Sequence, residues 1–176
     1  MVHPFINIAS FYLGWFACLL GATHNMPWLG VLVMAALLAL HLFLTANRTQ
    51  ELRFILVTGL LGTSLDSLLM LGGLYTFTNH TLSWLCPVWM TALWMGFAST
   101  LNHSMRWLRG RYRLAGLFGA AGGPLSYYAG VGLGALTFVP STGTTLMALA
   151  VVWSLVVPGL LWLAHTMSSQ VNPEEP

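Results

Sequence analysis

Long apolar runs alternate with short polar breaks along this chain. Six such runs can be cut, over residues 5–22, 28–46, 54–77, 84–107, 114–138 and 144–167. A helix needs about 20 residues, with a range of about 17–25, to cross the hydrocarbon of a bilayer at 1.5 Å rise per residue. All six runs meet that requirement. The pattern therefore predicts an all-α fold, a polytopic membrane bundle of six transmembrane helices. They form one domain over 1–168, followed by a short polar, acidic tail over 169–176 that is expected to stay disordered. The fifth run carries Gly122-Gly123-Pro124 near its middle. Proline lacks the amide hydrogen and clashes with the preceding turn, so the fifth helix is predicted to be interrupted there. A half-helix starting at Pro124 would offer free N–H groups to an anion at the bilayer midplane; a kink that only improves packing is the other reading.

Composition agrees with the pattern. Hydrophobic residues make up 57% of the 176 and charged residues only 6%, against about 25% in a typical soluble domain. A net charge of +2 is too small to argue for nucleic acid as a partner. The basic residues are all arginine: Arg48, Arg53, Arg106, Arg109, Arg111 and Arg113. With six spans, both Arg-bearing loops fall on one side, and the loops on the other side carry none. The positive-inside bias makes the Arg side cytoplasmic and places both termini there. Trp28 and Trp84 then start spans at the outer interface and Trp107 ends one at the inner interface. The first apolar run has no preceding basic residue, so it reads as a retained span, not a cleaved leader. Cys18 and Cys86 read as two buried free thiols more readily than as a disulfide.

Against this apolar background a few polar side chains stand out. Asp66 lies at the centre of the third run, where a carboxylate costs about 2.5–3.5 kcal/mol on insertion scales and normally faces the bundle interior. It is a candidate catalytic acid or base, with His41 as its candidate partner. Ser99, Asn102, His103 and Arg106 fall at i, i+3, i+4 and i+7, one face of a helix, and are candidate substrate-binding residues with Ser126 and Tyr127. Counting from span midpoints puts His41 about 6 Å and His103 about 12 Å on the cytoplasmic side of Asp66, so the expected arrangement is one polar cavity descending from Asp66 through His41 to Arg106. The structural alternative, polar groups that only lock helices together, stays open.

His41, His103 and His165 are evenly spaced, but their unequal depths argue against a shared metal, so no metal and no cofactor is expected. Gly119 and Gly123, and Ser126, Gly130 and Gly134, repeat every four residues. They read as a close-packing stripe and a candidate oligomer face. Gly59-Leu60-Leu61-Gly62 echoes Gly116-Leu117-Phe118-Gly119, an internal repeat that apolar sequence also yields by chance. No phosphate loop, nucleophile elbow or metalloprotease motif occurs.

Two stretches, Phe97-Ala98-Ser99-Thr100-Leu101-Asn102-His103-Ser104-Met105-Arg106-Trp107-Leu108 and Gly119-Ala120-Ala121-Gly122-Gly123-Pro124-Leu125-Ser126-Tyr127, resemble an uncharacterised family of small proteobacterial inner-membrane proteins. The resemblance implies a multi-span helical fold in a bacterial inner membrane. It also implies an association with lipid-modifying enzymes, and hence membrane lipid as substrate or partner. It supplies no catalytic residues. The preferred expectation is a protein whose cytoplasm-facing polar pocket handles a lipid or fatty-acyl group. A small proton-coupled transporter and a structural membrane subunit are the alternatives; whether the chain is an enzyme is left undecided.

Overall fold

The computed structural model describes residues 3–169; the predicted polar tail lies outside them apart from Ser169. Six α-helices run as α1 (Pro4–Thr23), α2 (Pro27–Leu44), α3 (Arg48–Leu71), α4 (Val88–Leu101), α5 (Tyr112–Gly132) and α6 (Thr142–Ser169). Local chemistry sets several starts. Pro4 and Pro27 occupy first-turn positions, where a missing N–H costs nothing. Asn47 caps α3 by accepting from the Gln50 amide.

Four helices, α1, α2, α3 and α6, are long and apolar enough to cross a membrane. The fourth is shorter than expected. It covers 14 residues, about 21 Å at the helical rise, because its N-terminal side is an irregular segment and its C-terminal side turns sharply after Leu101. α5 is 21 residues long but rich in glycine.

The predicted interruption of the fifth helix is not present. α5 runs continuously through Gly122, Gly123 and Pro124. Proline sacrifices a single backbone bond, and close packing on α6 offsets that loss. A Cβ at Gly119 would fall 2.1 Å from the Trp153 carbonyl oxygen, and one at Gly123 would fall 2.1 Å from the Trp153 ring. Those glycines exist to let α6 in. The stripe read as a packing face is used at these two positions within the chain.

Each helix packs most extensively on its neighbour in sequence, α1 on α2, α3 on α4 and α5 on α6. α4 also contacts α1 and α2 and forms the buried centre. At the end of the bundle opposite the arginines, two short strands pair antiparallel: β1 (Tyr75–Phe77) and β2 (Leu136–Phe138), with Thr76 opposite Thr137. Each strand follows a left-handed glycine, Gly73 at φ 73° and Gly134 at φ 80°, which turns the chain out of its helix.

The ribbon reveals the true register of the internal echo. Gly73 and Gly134, Thr76 and Thr137, Gly62 and Gly123, and Asp66 and Tyr127 are all 61 positions apart. Gly62 receives the Trp94 ring of α4 as Gly123 receives the Trp153 ring of α6. The two indoles stack on each other, centroids 5.0 Å apart and planes 9° from parallel. The units α3–β1–α4 and α5–β2–α6 thus correspond element for element across the antiparallel pair of Thr76 and Thr137.

Candidate functional site

The polar side chains gather in two separate places. The inner one is at Asp66, which is fully buried. Tyr75 Oη donates to its Oδ1 at 2.5 Å, Trp94 Nε1 donates to Oδ2 at 2.5 Å, and the Tyr127 hydroxyl also donates to Oδ1. The acid therefore ties β1, α4 and α5 to α3. Every donor is a neutral aromatic group, so the carboxyl is satisfied without a counter-ion in a region where an unpartnered polar group would be costly.

The second cluster lies at the Arg-bearing end. His41, in the last turn of α2, holds its Nε2 3.0 Å from Glu51 Oε1. His103 places its Nε2 3.5 Å from the same oxygen. The two imidazoles meet edge to face with centroids 4.6 Å apart. Asn102 Nδ2 donates to the other oxygen of Glu51 at 2.9 Å, and Arg109 donates to Asn102 Oδ1 at 2.7 Å. Burial, and then the nearby charge of Arg106, lower the pKa of the Arg109 guanidinium, while Tyr112 and Glu51 oppose that shift. His41 Nδ1 is buried with no hydrogen-bond partner.

These positions correct the single descending cavity. Asp66 and His41 do not meet. Glu51, the partner of His41, stands fifteen residues before Asp66 on α3, about 22 Å along the axis. The stripe Ser99, Asn102, His103, Arg106 is also broken, because α4 ends at Leu101. Ser99 is buried inside the helix, its hydroxyl bonded to the Gly96 carbonyl. Asn102 and His103 occupy the turn that follows and fold back onto Glu51. Arg106 opens a single 3-10 turn and is exposed; Arg109 reaches the cluster in its place. His165, exposed on α6, stands apart from the other two histidines.

Glu51, Arg109, Tyr75 and Trp94 were not singled out from the sequence. In the sequence Glu51 stands between Arg48 and Arg53 in a polar break, with nothing beside it to mark it as buried. The signal that it is buried is the cap at Asn47, which starts α3 early enough to draw Glu51 into the helix.

Ser126 and Tyr127 are neighbours on one helix and face different partners. Tyr127 faces Asp66, whereas Ser126 accepts from Trp15 Nε1 at 3.1 Å and so ties α5 to α1. Residues of α1, α4, α5 and α6 line a groove of about 860 Å³ beside that link. Phe11, Phe97 and Trp153 line it, with the exposed Phe5 and Leu125 at its mouth. His3, Thr100 and Ser104 add polar groups to the lining.

Both cysteines are free and buried. The chain belongs to a family described as "Protein of unknown function (DUF2878)", which matches residues 4–159. No curated protein and no solved structure matches it.

Proposed function

We propose that this protein is a six-span protein of a bacterial inner membrane that takes a lipid acyl chain into the groove between α1 and α5, with both termini cytoplasmic. The observation that carries the reading is the groove itself. Its volume of about 860 Å³ falls in the range of ligand sites, about 300–1,000 Å³. Its walls are apolar and aromatic, and its mouth is framed by exposed apolar side chains that water would not favour. The polar groups His3, Thr100 and Ser104 and the adjoining Arg-bearing end suit a headgroup at the interface. The groove replaces the polar pocket around Asp66 as the place where lipid is held, because the Asp66 carboxyl already has three donors. The one-sided arginines support the orientation, and exposed Trp28, Trp84 and Trp107 suit the two interfaces.

The test is photo-crosslinking of the full chain in membranes with a diazirine-bearing fatty acid or phospholipid. Cross-links should map to α1 and α5, and Gly122→Phe should weaken them, since Gly122 lines the groove, a Cβ there meets nothing within 4 Å and a ring there takes up part of the space. Labelling spread evenly around the bundle, or unchanged by Gly122→Phe, would overturn the reading. Orientation is checked by labelling cysteines placed at Thr78 and Arg109; labelling of both from one side ends the six-span topology.

A further inference from the structure

We propose that His41, Glu51 and His103 form a binding site for one divalent transition-metal ion of the zinc class. The three come from separate elements, the end of α2, the first turn of α3 and the turn after α4, and their ligand atoms all lie within 4.8 Å of one another. Tetrahedral ligands at about 2.0–2.1 Å from a metal stand about 3.3 Å apart. The two imidazole–carboxylate separations, 3.0 and 3.5 Å, bracket that value. Small rotations of the side chains close the set around an ion. Two imidazoles with one carboxylate select zinc and its first-row neighbours over magnesium or calcium, which favour all-oxygen sites.

The surroundings are those of a held ligand set. Glu51 Oε2 is fixed by Asn102, and Asn102 by Arg109, so the carboxylate presents Oε1 alone to both rings; such outer partners orient a metal ligand. Both imidazoles compete for that single oxygen, and His41 Nδ1 has no partner at all, so protein atoms alone leave the cluster incompletely bonded. His41 and Glu51 are 6% exposed at their side chains and His103 is 15% exposed, which makes the His103 side the way in. Three protein ligands leave a fourth position for water or an oxygen-bearing group. This site is independent of the α1–α5 groove and of the lipid reading.

The experiment uses the full chain in detergent, without a polyhistidine tag, equilibrated with ZnCl₂ and freed of excess. One zinc per chain is expected by elemental analysis, along with a rise in the unfolding midpoint. His103→Gln and Glu51→Gln should each weaken binding at least about tenfold and remove the thermal shift. Asp66→Asn, at the other cluster, should keep one zinc. Millimolar Mg²⁺ should not compete. If Glu51→Gln fails to fold, His103→Gln decides alone, because its side chain is the least enclosed of the three. A wild-type chain that retains no zinc, or one zinc retained equally by His103→Gln, would overturn the proposal.

Discussion

Replacing Asp66 with alanine isolates what the inner cluster contributes. The substitution removes the acceptor for three buried donors, the hydroxyls of Tyr75 and Tyr127 and the indole N–H of Trp94. A buried donor without a partner costs about 1–3 kcal/mol, giving about 3–9 kcal/mol for three. The upper end will not be reached, because the two phenol rings lie 5.2 Å apart and can turn toward each other. We therefore expect a loss of about 3–5 kcal/mol. Asp66→Asn keeps one oxygen for the tyrosines but sets an amide N–H₂ against the Trp94 N–H, so its cost should be smaller, about 1–3 kcal/mol. Tyr127→Phe leaves the carboxyl with two donors and should cost only about 0.5–1.5 kcal/mol. Reversible unfolding of the full chain in mixed micelles with increasing SDS, followed by tryptophan fluorescence, measures all three. A loss under about 1 kcal/mol for Asp66→Ala, or a larger one for Asp66→Asn than for Asp66→Ala, would refute the account of Asp66 as the acceptor that joins four elements.

Four further outcomes follow from the packing and burial described. Gly62→Ala puts a Cβ 1.9 Å from Trp94 Cδ2, and that ring is held by Asp66 and by Trp153, so destabilisation of about 3 kcal/mol or more is expected in the same assay; Gly122→Ala, facing open space, should be neutral or slightly stabilising. Gly73→Ala meets no atom within 4 Å but must adopt φ 73°, so only the left-handed backbone penalty of about 1–2 kcal/mol should appear. Cys86 is buried with its thiol donating to the Thr63 carbonyl, so alkylation should await unfolding; rapid labelling of folded protein at pH 7 would contradict this.

Much of the architecture could be read from the amino-acid order, because a bilayer imposes coarse rules. Scarcity of charge, six apolar runs and arginines confined to two short stretches are one-dimensional signals of a helical membrane protein. The details that failed depend on three-dimensional fit. The run over 84–107 looked like one long helix because apolar content does not distinguish helix from an apolar turn, yet α4 is only Val88–Leu101. That shortening invalidated the depth arithmetic and hid the meeting of His41 with His103. Pro124 reads as a helix breaker in the sequence because the packing of Gly119 and Gly123 against Trp153, which keeps α5 continuous through it, has no one-dimensional signal. Asp66 was legible as an interior acid, but Tyr75 and Trp94 were not legible as its partners, since aromatic residues are abundant here and only a few carry their polar atom to a buried acceptor.

The ribbon pairing has a consequence for how this architecture can vary. Two identical halves meeting on a two-fold axis must present the same residue from each side. Two carboxyls there would lack donors, and two phenols would lack a strong acceptor. Joined in one chain, the halves are free to differ, and at the corresponding positions one supplies Asp66 and the other Tyr127, which bond to each other. That position is therefore where near-symmetry has been given up. It also couples the two positions: losing Asp66 strands the Tyr127 hydroxyl without its acceptor, so in sequences of this fold the two positions should tend to change together, as an acceptor and a donor.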